Sequence, residues 1–130
     1  MKKISLSLFL IFQITAIIAQ NRDIVRIEKY YNQKNYEKCI EQSRKTIKKY
    51  PKLAEAYYYQ SLSNFNMFKH SPRLRKKYYL TNTLTNLTIA SRIDTSKKFF
   101  DKYQNDFMLI KDSTLSFAKK LYKTDKSESA

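Results

Sequence analysis

Residues 35–62 read NYEKCIEQSRKTIKKYPKLAEAYYYQSL, and two helices with a sharp break between them follow from that stretch. Asn35 is a good N-cap, because its side-chain oxygen accepts a hydrogen bond from a free amide of the first helical turn. Behind it an inward stripe recurs at helical spacing as Tyr36, Ile40, Ser43, Ile47 and Tyr50, while Lys38, Glu41, Arg44, Lys45 and Lys48 take the other faces. Pro51 pushes Tyr50 out of the α region and ends that helix. The next helix is predicted from about Leu53 to Phe68.

The same spacing extends outward in both directions. Ile24, Ile27 and Tyr31 share one face of a helix that precedes Asn35. Ser71-Pro72 reads as an N-cap followed by proline at the first helical position. A fourth helix is predicted from about Pro72 to Arg92, with Leu80, Leu84, Leu87 and Ser91 inward. Its threonines and asparagines are indifferent helix formers. Asp94 or Thr95 is expected to cap a fifth helix reaching about Tyr122, and residues 126–130 form a polar tail. No stretch alternates apolar and polar residues long enough for a strand. The expected fold class is all-α, with about five antiparallel helices, the last of them a long C-terminal capping helix.

Asn35-Tyr36-Glu37-Lys38-Cys39-Ile40, Thr46-Ile47, Pro51, and then Ala54-Glu55-Ala56-Tyr57 through Ser61-Leu62 together resemble the tetratricopeptide repeat. Tyr36 stands at the turn aromatic, Cys39 and Thr46 at the small positions where paired helices approach, and Pro51 at the closing proline. Tyr57 takes the large-aromatic place of a second repeat, and Ser61 a place where the family often has Gly. The resemblance covers about residues 20–68. It then decays, with His70 and Arg73 where the first repeat has Tyr36 and Cys39. What it implies is a helix–turn–helix module whose concave groove receives a protein or peptide partner. Carried over residue by residue, it implicates Tyr31, Tyr58, Leu62 and Phe65 as groove residues. The residues themselves leave a second option open, in which the fourth and fifth helices cover these side chains as core.

Composition narrows the chemistry. The 130 residues contain no Gly, which excludes a phosphate-cradling P-loop, a G-x-G-x-x-G turn and a G-x-S-x-G nucleophile elbow. One Cys and one His cannot supply a four-ligand structural zinc site, and a single Cys makes no internal disulfide. Cys39 and His70 lack an orienting third group, and Asp94, Asp101, Asp106 and Asp112 are spread among lysines as solvated charges. No enzyme activity, metal or cofactor is expected.

Met1-Lys2-Lys3, the apolar run from Ile4 to Ile18, and the small Ala19 before polar Gln20-Asn21-Arg22-Asp23 have the three regions of a secretory signal. Cleavage is expected between Ala19 and Gln20, giving a signal at 1–19, a helical domain at 20–125 and the tail at 126–130. The product would be secreted or periplasmic. An uncleaved membrane anchor is the alternative. The whole chain carries a net charge of +15, and losing Lys2 and Lys3 with the signal leaves +13. Such a charge favours anionic partners, although an AT-rich genome would also place many lysines on a solvated surface.

Lys69, Arg73, Arg75, Lys76 and Lys77 are the densest basic cluster, followed by Tyr78 and Tyr79. They are candidate anion-binding residues for an anionic polymer or a membrane surface. Export argues against nucleic acid as the partner. Phe100, Tyr103, Phe107, Ile110, Thr114, Phe117 and Leu121 step by three and four, a seam that suits either a cap over the preceding helices or a homodimer through the C-terminal helix.

Overall fold

The computed structural model describes residues 2–128, and its elements there are all helices: α1 (Lys2–Asn32), α2 (Tyr36–Lys49), α3 (Ala54–His70), α4 (Arg73–Ile93), α5 (Lys98–Lys102) and α6 (Gln104–Glu128). The chain is all-α. α1 packs on α2, α2 on α3 and α3 on α4, and α1 also touches α3.

Asn35 caps α2 as its residue type demands, its side-chain oxygen accepting the Lys38 amide at 3.3 Å. The turn before it closes α1 with two backbone bonds, Lys34 N–H to Tyr31 O and Asn35 N–H to Tyr30 O, both 2.9 Å. This pair of bonds needs a left-handed residue between them, usually Gly. In a chain without Gly, Lys34 takes that conformation, with φ 57°.

The inward faces of α2 and α4 are rotated from the sequence expectation. On α2 the buried residues are Cys39, Ser43 and Thr46, and Ile40, Ile47 and Tyr50 are half-buried at the flanks. On α4 they are Leu80, Thr83, Asn86 and Ala90, whereas Leu84 is exposed. The physical reason is close approach. The Ser61 hydroxyl donates to the Thr83 carbonyl at 2.7 Å, a bond across α3 and α4 that larger side chains would prevent. The polar residues of α4 are accommodated by bonding back one turn: Asn82, Thr83, Asn86 and Thr88 each donate to the carbonyl four residues earlier. The Ser71 hydroxyl also turns back, to Met67 O of α3, so the expected Ser71 cap of α4 does not form.

The single fifth helix expected from Asp94 to Tyr122 is two helices. Asp94 instead ends α4, its N–H bonded to Ala90 O at 2.9 Å. Lys97 then adopts φ 54°, and the side chain that meets the start of α5 is Ser96, accepting from the Lys98 amide at 3.4 Å. Tyr103 breaks the helix between α5 and α6. The tail residues 126–128 continue α6; residues 129–130 lie outside the described part.

α5 and α6 lie over α1 and α3 through large aromatic rings. Phe99 stacks on Tyr58 with centroids 4.8 Å apart and meets Tyr59 edge-on at 5.1 Å. Phe107 lies 5.3 Å from Tyr58, and Phe117 meets Phe68 edge-on at 5.8 Å. Tyr103 joins Tyr31 and Tyr59, with 3.1 Å between the Tyr59 and Tyr103 hydroxyls. An ion pair from Lys102 to Glu28 at 3.3 Å ties α5 to α1.

α1 is continuous through the expected cleavage point, and its first half stands clear of the domain. Leu6, Leu8, Phe9, Leu10, Ile11, Phe12, Ile14, Ile17 and Ile18 are 52–72% exposed. The stretch from Ser5 is long and apolar enough to cross a membrane, a test that a signal sequence also passes.

Candidate functional site: a basic cleft between α4 and α6

The residues expected to line a peptide groove are in the interior. Tyr58 and Leu62 are each 1% exposed, Phe65 is buried against Phe68, and Tyr31 is half-buried among Tyr36, Tyr59 and Tyr103. The groove reading is corrected here for a physical reason. Large apolar side chains on one face of α1 and α3 gain by leaving water, and the chain's own Phe99, Phe107 and Ile110 cover them. The seam proposed for a homodimer is used up in the same way at Phe107 and Ile110.

The basic cluster divides in two. α4 carries no acidic residue in its first turn, and Glu55 and Asp94 bound a stretch with no carboxylate at all. Arg73 and Lys76, three residues apart, turn toward α6 and line a cleft of ≈ 870 Å³. Lys120 and Lys123 enter it from α6. Phe68, Phe117 and Leu121 supply its apolar lining, and Asp112 is the one carboxylate among the described residues that line it. The Lys76 ammonium sits 5.0 Å from the centre of the Phe68 ring, a cation–π contact that holds it at the cleft wall. A shallower recess of ≈ 430 Å³ shares Asp112, Ser116, Lys120 and Lys123 and adds Lys119. Among the described residues no carboxylate makes an ion pair with Arg73, Lys76, Lys120 or Lys123.

Lys69, Arg75 and Lys77 do not line this cleft. Lys69 lies over the Phe65 ring at 5.3 Å. Arg75 and Lys77 are exposed beside Leu74, which is 95% exposed, and Tyr78, also exposed. Sequence reasoning missed Lys120 and Lys123, because nothing along the chain links them to Arg73. The available signal was local: Lys119-Lys120-Leu121-Tyr122-Lys123 repeats the mixture of cations and apolar residues seen at the start of α4.

Cys39 is buried, and burial pushes its thiol up from the ordinary value, which makes it a poorer nucleophile. His70 is exposed at the end of α3. Chemically, the cleft offers ammonium and guanidinium donors around an apolar surface. That arrangement is chemically suited to an anion with an apolar part. No protein-family model matches the chain, and no curated protein and no solved structure matches it either.

Proposed function

We propose that this chain is an exported helical interaction module that holds an acidic segment of another protein in the cleft between α4 and α6. One observation carries the reading: Arg73, Lys76, Lys120 and Lys123 converge from two helices on an apolar floor, with Asp112 as the one opposing charge among the described lining residues. An acidic peptide bearing a large apolar residue would neutralise the cations and cover Phe117 and Leu121. The tetratricopeptide resemblance stays part of the proposal. The left-handed turn at Lys34 and the burial of Cys39, Thr46 and Ser61 at helix contacts support it.

The test uses the mature protein and a labelled peptide of glutamates interspersed with phenylalanine. Binding is expected to weaken as salt rises and to fall about tenfold or more when Arg73, Lys76, Lys120 and Lys123 are all changed to Gln, at up to about 1 kcal/mol for each exposed charge pair. A peptide with serine in place of phenylalanine should bind more weakly. Equal binding by the quadruple variant would overturn the cleft.

A second reading, contact with an anionic membrane surface, has its own observation. Leu74 projects fully into solvent on the outer side of α4, flanked by Arg75 and Lys77 and followed one turn later by exposed Tyr78. An apolar tip with an amphipathic ring and cations beside it is suited to the headgroup region.

A further inference from the structure

α1 changes character at the Ala19–Gln20 bond. From residue 5 to residue 18 only Ala16 is even partly covered. From Ala19 onward the helix packs: Ala19 and Gln20 are half-buried, and Asp23 and Ile27 are buried. Gln20 lines a recess of ≈ 340 Å³ with Tyr50, Pro51, Lys52 and Leu53, at the junction of α2 and α3. The domain therefore begins where the small Ala19 closes the apolar run.

We propose that Gln20 becomes the N-terminal residue and is closed to pyroglutamate, with the lactam ring seated in this recess. The inference goes beyond the binding reading and rests on cleavage between Ala19 and Gln20. Cleavage frees the α-amine of Gln20, a fraction of which is unprotonated near neutral pH. That nitrogen attacks the side-chain carboxamide carbon. A new C–N bond closes a five-membered lactam, the bond from that carbon to the side-chain nitrogen breaks, and the nitrogen leaves as ammonia with the proton given up by the amine. No oxidant, reductant or co-reactant is consumed.

Two features favour the closed form. A free ammonium at the first turn of the shortened α1 would face the positive end of the helix dipole. Closing the ring removes the ammonium. The lactam is also neutral and has fewer polar groups to desolvate than an ammonium and a carboxamide together, which suits walls made by Pro51, Leu53 and the Tyr50 ring.

The experiment is to recover the protein from the exported fraction of cells expressing the full chain and to measure its intact mass and N-terminal peptide. The expected product begins at Gln20, is lighter than that sequence by one ammonia, and resists N-terminal sequencing. Pyroglutamyl aminopeptidase should release the residue readily from the isolated N-terminal peptide and at least about tenfold more slowly from the folded protein, where opening must come first. The Gln20→Ala variant should have an open terminus. A chain beginning at Gln20 with its ammonia intact would overturn the modification while leaving the cleavage standing. A chain beginning elsewhere, Met1 included, would overturn both. Equal release from folded protein and peptide would overturn the recess as the seat of the ring. A blocked Gln20→Ala terminus would show that the block is not the lactam.

Discussion

Thr46 is fully buried between α2 and its neighbours, and its hydroxyl has no hydrogen-bond partner. A buried hydroxyl without a partner gives up its bonds to water for nothing. Thr46→Val keeps the branched shape and removes the polar atom, so stability should rise by about 1 kcal/mol. A higher urea midpoint at unchanged slope is the check; a lower midpoint would show that the hydroxyl is needed. The buried tyrosines make a second prediction. Burial, with Asp94 nearby, pushes the Tyr58 phenol up to about 12, and burial raises Tyr31 and Tyr59 as well. A phenol whose folded value lies above its unfolded value of about 10 contributes stability that is complete below pH 10. That contribution is lost as pH rises through the folded value. Thermal melts should therefore be flat in this respect below about pH 9 and fall between about pH 10 and 12. A melting temperature unchanged across that window would mean that the phenols reach water.

At the scale of elements, the α1–α2 turn is held by two backbone bonds around Lys34, which pays the steric cost of a left-handed residue with a Cβ. Lys34→Gly should stabilise by about 1 kcal/mol, the relief of that strain less the added freedom of the unfolded chain. Denaturant melts decide it, and a loss of stability would mean that the Lys34 side chain makes a contact worth more than the strain. The existence of this turn was legible in Asn35 and Tyr36, and the end of α2 was legible in Tyr50-Pro51, because caps and prolines act through their immediate neighbours. The rotation of α2 and α4 was not. Reading Ile40 and Leu84 as inward follows hydrophobicity, but these interfaces are set by how near two backbones come, and Ser43, Thr46, Thr83 and Ala90 allow the approach. The break at Tyr103 was hidden because the spacing of Phe100, Tyr103 and Phe107 continues across it. Half of the cleft was visible in Arg73 and Lys76; the other half, on α6, depends on how the C-terminal segment folds back, which a stripe of cations on a single helix cannot reveal.

At the scale of the whole molecule, α4 carries two basic surfaces on different sides, and they separate the two partner classes. Arg73 and Lys76 turn inward to meet α6, whereas Leu74, Arg75, Lys77 and Tyr78 face water. All of these side chains except Lys76 are exposed, so substituting them should leave the fold intact, with helix content by circular dichroism as the control. The cleft set, Arg73, Lys76, Lys120 and Lys123 to Gln, should lose the acidic peptide and keep most of its affinity for vesicles rich in anionic lipid. The outer set, Leu74 to Ser with Arg75 and Lys77 to Gln, should keep the peptide. If the membrane reading holds, the outer set should also lose about fivefold in vesicle binding for each cation removed, at about 1 kcal/mol per cation near an anionic surface. The Leu74 change should lower binding further and in a salt-insensitive way, because it removes apolar insertion. The net charge, +15 for the whole chain and +13 for residues 20–130, makes some loss with any cation removed inevitable. The informative quantity is therefore the ratio of the two affinities within each variant. A cleft variant and an outer variant that weaken both ligands in the same proportion would mean that only total charge matters, and neither the cleft nor the Leu74 tip would then be a site.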